Sequence, residues 1–430
     1  MQTKFAIIFL GACMKNFNPI RGTADYLPNE ATLRESLRRI ILDSYMSNGY
    51  NLIDTPILEN LEFLNSSEGG DNLRLMFKTI RRGDKLDLSK PNLTEADIVE
   101  EGLRYDLTVP LVRMYSNNRE KLPTPFKSIQ IGSAFRAERP QRGRNRQFIQ
   151  CDIDIFGDTS INAELDLLKT SLDTLYSLRF EKLTLRINDR RILNTLVRSS
   201  GFADEDVSTV CVTLDKIDKI SITGVMMELI EKGFDTDKIN NLVDTINDVI
   251  KNGIDVSVKY GVDESVVNNV KYLIENLGKL TGNRFQIIFD ISIVRGQGYY
   301  TGTVYEIYTE GFSGAIGGGG RYDKMVEKLT GNSVPAVGCS IGFEPVAMLL
   351  AERKVHLSSR QNLILLYDQD DDILKVYQAK EKLQQNYNVS LYARPKNMKN
   401  FYEKIVEVAD AVTTYKDYSN DVEIKILNKG

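Results

Sequence analysis

One histidine, His356, serves a chain of 430 residues, and tryptophan is missing altogether; with a single imidazole available, no histidine-based catalytic triad is expected. The four cysteines, Cys13, Cys151, Cys211 and Cys339, lie far apart and form no CxxC or Cys/His pattern. No metal site is expected from them, and thiols this sparse suit a reducing, cytoplasmic setting. No apolar run approaches the ~18 residues that span a bilayer, so no membrane partner is expected. The net charge of -4 argues against a general nucleic-acid coat and leaves only a local basic patch for such contact. With 42% hydrophobic and 27% charged residues the composition is that of a folded chain, and its length calls for two or three domains.

The first residues, MQTKFAIIFLGACMKNFNP, hold an apolar stretch from Phe5 to Leu10 that is too short for a secretory core. Residues 1–13 read as a non-native leader ahead of a start at Met14. Apolar residues then recur at helical spacing from Glu30 to Met46, and Gly49 separates that helix from the strand-like YNLIDTPIL. Leu103 to Val112, Phe126 to Glu138 and Arg146 to Gly157 all carry strand patterns. Residues 187–282 turn polar and helical, which predicts an inserted helical domain. Strands resume at FQIIFDISIV and TVYEIYT, followed by the glycine run Gly317 to Gly320 and a helix in YDKMVEKL. Beyond Glu352 the alternation NLILLY, Ile373–Leu383, VSLYA, Lys399–Val408, AVTTY and EIKIL predicts a small α/β domain over 354–430.

Strand geometry sets Phe148, Gln150, Asp152 and Asp154 on one face of Arg146–Gly157, with Ile149, Cys151, Ile153 and Ile155 on the other. Its neighbour aligns Gln130, Gly132, Ala134, Arg136 and Glu138. Together they form a hairpin whose tip, RPQRGRN, is rich in guanidinium groups. Five arginines between Arg136 and Arg146, opposed only by Glu138, suit bidentate capture of phosphate. A solvated charged loop is the plain alternative. In LRYDLTVPLV, read as a strand, Arg104, Asp106 and Thr108 share a face; an edge strand with a wet face would account for them, whereas a buried Asp106 would recognise a cation or an N–H donor. Arg295 sits in a glycine-rich turn beside Tyr299 and Tyr300, where it could stabilise charge at a phosphoryl centre. AIGGGGRYD lacks the GxxxxGK[ST] pattern and is no P-loop.

In this order the segments resemble histidyl-tRNA synthetases, class II aminoacyl-tRNA synthetases, from Met14 to the C-terminus. GYNLIDTPILE resembles motif 1, FRAERPQRGRNRQFIQ motif 2 and PAVGCSIGFEPV motif 3. LRYDLT, IVRGQGYYTGTVYE and GGGRYD resemble segments specific to the histidine enzymes. The resemblance implies an α/β protein with an α+β catalytic core, a class II antiparallel sheet flanked by helices. Core segments 14–186 and 283–353 would bracket the helical insertion, and 354–430 would be an anticodon-binding-like domain. It further implies ATP and Mg2+ as cofactors, with L-histidine, histidine tRNA and a second copy in a homodimer as partners. Arg136 and Arg295 would be catalytic, and Arg136, Glu138 and Arg144 would bind ATP. Asp106, Thr108, Gln150, Asp154, Tyr299 and Tyr300 would bind histidine, and Gln141 would touch the tRNA acceptor end.

The chain departs from the family pattern at Pro345, where motif 3 carries an arginine after the glutamate, and at Gln297-Gly298, where many relatives have Leu-Asp. Loss of one charge-assisted bond to phosphate costs about 1.5 to 3 kcal/mol, while proline is welcome in a first helical turn. Pro345 therefore motivates two other readings. One is an impaired paralogue such as the regulatory subunit of ATP phosphoribosyltransferase, and the other is a tRNA-sensing module.

Overall fold

The computed structural model describes residues 18–430 except 67–69, 295–299, 356, 358–359, 407, 416–423 and 428–430. Its contacts divide the chain into two units, one comprising residues 1–23 and 40–349, the other residues 24–39 and 350–430.

The strands in chain order are β1 (Asn51–Leu52), β2 (Leu58–Asn60), β3 (Lys78–Ile80), β4 (Val99–Leu103), β5 (Phe126–Phe135), β6 (Gln147–Phe156), β7 (Leu183–Asp189) and β8 (Gln286–Phe289). They continue with β9 (Thr303–Thr309), β10 (Gly317–Arg321), β11 (Ala336–Gly342), β12 (Gln361–Tyr367), β13 (Tyr387–Ala393), β14 (Ala411–Thr414) and β15 (Ile424–Ile426). The large unit is built on an eight-stranded sheet of order β1-β5-β6-β11-β10-β9-β7-β8. Only its outer pairs, β1 with β5 and β7 with β8, are parallel. This antiparallel sheet flanked by helices is the α/β fold anticipated from the motifs. A smaller sheet, β2-β4-β3, stands beside it.

The predicted hairpin forms as β5 and β6, with Gln130 opposite Asp152 and Gly132 opposite Gln150. The strand expected over Leu103–Val112 does not form: β4 ends at Leu103, and a helix, Thr108–Asn118, begins five residues later. Asp106 explains the change. Its Oδ1 accepts the Val109 N–H at 3.0 Å, satisfying one of the donors that a helix start leaves open. Pro110 is harmless in a first helical turn, where its missing N–H has no partner to lose.

The glycine run, weak as a motif, is a central strand. β10 runs between β9 and β11 with every residue buried. Packing explains the choice next door on β11, where a Cβ on Gly338 would collide with Asp154 Oδ1 and lie 3.3 Å from the Ile153 carbonyl. Beneath the site lies a core that includes Tyr105, Val109, Tyr115, Phe156, Tyr322 and Val334. The Tyr115 and Phe156 rings stack at 4.4 Å. Behind the sheet, helix Asn162–Ser177 buries Glu164 completely, and its Oε2 meets Arg321 Nη2 at 2.5 Å.

The segment expected to be helical holds Arg190–Ser199, Asp204–Leu214, Ile217–Glu231, Thr236–Asn252 and Glu264–Leu280. Asp189, Asp235 and Asp263 cap the first, fourth and fifth of these by accepting backbone N–H groups.

In the smaller unit the sheet order is β13-β12-β14-β15, parallel except for the β14-β15 pair. NLILLY is apolar at successive positions because both faces of β12 are covered. Leu363 and Leu365 pack with Val376 of helix Ile373–Leu383, while Ile364 and Leu366 pack with Ile405 of helix Met398–Ile405.

Candidate active site

Three carboxylates converge on the face of the sheet formed by β5, β6 and β11. Asp106 is 1% exposed, Asp152 4% and Asp154 3%. Asp152 and Asp154 lie two residues apart on β6, opposite Gln130 and Ser128 of β5 on one side and Ser340 and Gly338 of β11 on the other. Asp106 reaches the same place from the turn after β4. Gln150 completes the row, with Nε2 at 3.4 and 3.5 Å from the Asp152 carboxylate oxygens.

Asp106 Oδ2, Asp154 Oδ2, Gln130 Oε1 and Gln150 Oε1 are buried without a hydrogen-bond partner among the described residues. Such atoms are costly to leave unsatisfied, by about 1 to 3 kcal/mol each. Four acceptors with no donor among the described residues form a cradle for a ligand that brings N–H groups and positive charge. Asp154 Oδ1 is already engaged, accepting from the Tyr322 hydroxyl at 2.5 Å.

Burial raises the Asp106 carboxyl to about 6, opposed by the Val109 N–H and by Arg136. Burial likewise raises Asp152 to about 7, against the Ser340 side chain and with help from the charge on Asp106. Asp154 is driven well above the carboxylate range by burial and then by neighbouring Asp152. Without a ligand, the cluster holds on to protons that a bound cation would displace.

Arg136 follows the end of β5. Its Nε donates to the Tyr105 carbonyl at 3.0 Å, and its guanidinium lies 5.1 Å from the Phe148 ring centroid. These contacts set it at the edge of the acidic cradle, and its charge is felt by Asp106 and Asp152. Arg104 is committed elsewhere, donating to the carbonyls of Ser133 at 2.8 Å and Thr55 at 2.6 Å. Past Arg136, Glu138 is half-buried, and Gln141 and Arg144 are exposed at a tight turn closed by reciprocal backbone bonds of 3.0 and 2.9 Å. Glu344, at the start of helix Phe343–Glu352, accepts the Ile149 N–H at 3.1 Å and ties that helix to β6.

Of the residues singled out in the sequence, Asp106, Gln150, Asp154 and Arg136 come together around the cradle. Thr108 is buried at the first turn of the adjoining helix, and Tyr300 is buried in the core beside it. Arg295 and Tyr299 lie outside the described residues. The segment leading to them is fastened by Asn188, whose Nδ2 donates to the carbonyls of Ile291 at 3.1 Å and Ile293 at 2.9 Å. Sequence reasoning missed Tyr322 and gave Asp152 no role. Asp152 was visible on the polar face of its strand. Tyr322 is 168 residues from Asp154, and only the sheet order brings the two together.

The family profile described as histidyl-tRNA synthetase matches residues 22–346. The chain belongs to the histidyl-tRNA synthetase family. A histidine–tRNA ligase of Leifsonia xyli is 38% identical over 395 residues, 89% of this chain and 91% of the relative. A probable histidine–tRNA ligase of Tropheryma whipplei is 41% identical over 362 residues, 81% of this chain and 84% of the relative. Among solved structures, histidyl-tRNA synthetase from Nostoc superposes with a TM-score of 0.74 at 24% identity, over 93% of this chain and 92% of that one. A Bacillus halodurans structure titled ATP phosphoribosyltransferase regulatory subunit/histidyl-tRNA synthetase gives 0.71 at 17% identity, over 90% and 96%. Likeness at these identities speaks for the synthetase fold alone. Family membership rests on the profile and on the curated relatives.

Proposed function

We propose that the chain ligates L-histidine to its cognate tRNA with ATP, through a histidyl-adenylate. The observation that carries this reading is the cradle of four unpartnered acceptors beside Arg136. Asp106, Thr108, Gln150 and Asp154 hold the cationic amino group and the ring N–H of histidine, and Tyr299 and Tyr300 wall the ring. Arg136 grips the α-phosphate and the amino-acid carboxylate, Glu138 meets the adenine amino group, and Arg144 reaches the outer phosphates. The histidine carboxylate oxygen attacks the α-phosphorus, the bond to the β-phosphate breaks, and pyrophosphate leaves. Arg136 and Arg295 stabilise the charge that builds at phosphorus, so positioning and electrostatics do the work and no protein base is needed.

In the second step a hydroxyl of the tRNA's terminal ribose attacks the adenylate carbonyl and AMP departs, with Gln141 at the acceptor end. Among the described residues no cluster of three or more His, Cys, Asp or Glu side chains is placed to hold a metal. Mg2+ would enter with the nucleotide, as the family resemblance implies, and would offset charge on its phosphates. The β12–β15 unit reads the anticodon, the enzyme works as a cytoplasmic homodimer, and residues 187–282 act as its insertion domain. No described helix is long and apolar enough to cross a membrane. The relatives' names do not favour the regulatory-subunit reading prompted by Pro345. Charging of tRNA with labelled histidine tests the proposal: acid-stable, histidine-specific counts are expected, and labelled tRNA no higher than an enzyme-free blank would refute it.

A further inference from the structure

The turn at the tip of the β5–β6 hairpin has a built support. Gly143 has φ +73, and a Cβ there would lie 3.1 Å from Phe312 Cζ and 3.4 Å from Pro345 Cβ. The same two rings are backed by other glycines: a Cβ on Gly314 would sit 3.1 Å from Phe312 Cε1, and one on Gly342 3.1 Å from Pro345 Cγ. Pro345 is buried and Phe312 half-buried. Beside them Arg142 Nη1 lies 3.5 Å from the Gly311 carbonyl. The residue after Glu344 thus carries no charge toward a nucleotide and instead packs under the loop that bears Arg142 and Arg144.

We propose that Phe312 and Pro345 form an apolar seat for the Arg142–Gly143 turn, so that the loop arginines supply the phosphate grip that motif 3 lacks. This rests on the reading that ATP binds at the motif 2 hairpin. The seat explains why proline is compatible with function. A rigid ring with no polar atom on its side chain fills the space against Gly143 and Gly342 without desolvating a charge. A turn held in place before ATP arrives also spares the ordering cost of a loose, arginine-rich loop. Phe312 and Pro345 are positioning residues, acting on substrate only through the loop.

The test is histidine-dependent ATP–pyrophosphate exchange on the full chain, with separate KM values for ATP and histidine. Phe312→Ala is expected to raise the ATP KM about tenfold with the histidine KM unchanged, and to add no more than about twofold to Arg144→Ala. An ATP KM within about twofold of wild type, or effects that multiply in the double variant, would overturn the seat. Pro345→Arg is expected to slow exchange by crowding Gly143, and a gain would count against the proposal. If Phe312→Ala does not fold, Phe312→Leu takes its place with the same criteria at about threefold. Absence of exchange in the wild type would defeat the functional reading and leave the seat testable by trypsin. Cleavage after Arg142 and Arg144 should then accelerate in the Phe312 variant, and equal rates would refute the seat.

Discussion

Asp106→Asn separates the binding role of the cradle from its cost to the fold. The Asp106 carboxyl is raised from 3.8 to about 6, mainly by burial. At about 1.4 kcal/mol per pH unit this makes the ionised side chain a burden of about 3 kcal/mol on the free protein at neutral pH. The sign follows from the direction of the shift. The folded state binds the proton more tightly than the unfolded chain, so the stabilising contribution is complete below pH 3.8 and lost as pH rises through about 6. Asparagine removes the charge and keeps an oxygen for the Val109 N–H. Its amide then leaves an unpaired donor costing about 1 to 3 kcal/mol. The net change is therefore a gain of roughly 0 to 2 kcal/mol, a melting temperature unchanged or higher by up to about 5 °C. Binding moves the other way, because a charge-assisted bond worth about 1.5 to 3 kcal/mol is lost, so the histidine KM should rise about 10- to 100-fold. Thermal melts and histidine-dependent exchange at pH 7.5 read both quantities. A destabilised variant with an unchanged histidine KM would show that Asp106 is only a helix-start residue and would refute the cradle.

Acidification should weaken histidine binding, since a cation needs the ionised cradle and the Asp152 and Asp106 carboxyls are raised to about 7 and about 6. The histidine KM should climb at least about fivefold between pH 8 and pH 6, with the ATP KM steadier, as steady-state kinetics across that window will show. Gly338→Ala places a methyl against Asp154 and the Ile153 carbonyl; calorimetry should find a lower melting temperature and exchange kinetics a histidine KM raised about tenfold or more. Glu164→Ala takes the buried carboxylate from Arg321 behind the sheet but leaves it Asp323 and the carbonyls of Asp158 and Ser160, a loss of about 1.5 to 3 kcal/mol by denaturant titration, while the histidine KM stays within about threefold.

Period-2 alternation was enough to lay out β5 and β6, because on β6 alternate residues are apolar and the others form the polar row. The same rule misled over Leu103–Val112. There, three polar residues at alternate positions imitate a strand, while Asp106 in fact starts a helix through a single local bond. Composition gave no element to Gly317–Gly320. Its place as a central strand is decided by space, since neighbouring backbones crowd β10 and Asp154 crowds Gly338. Asp106, Asp154 and Arg136 were legible from local pattern and motif resemblance. The Tyr322 bond to Asp154 and the seat under Gly143 depend on segments far apart in the chain, and nothing in either segment alone reveals the partner.

Amino-acid-dependent ATP–pyrophosphate exchange with the wild-type chain, scanned over all twenty amino acids, bears most directly on the claim that the acidic cradle and Arg136 activate histidine. Exchange with histidine alone, reduced at least about a hundredfold by Arg136→Ala, is the predicted result. No exchange with histidine at micromolar enzyme, or equal exchange with another amino acid, would contradict it.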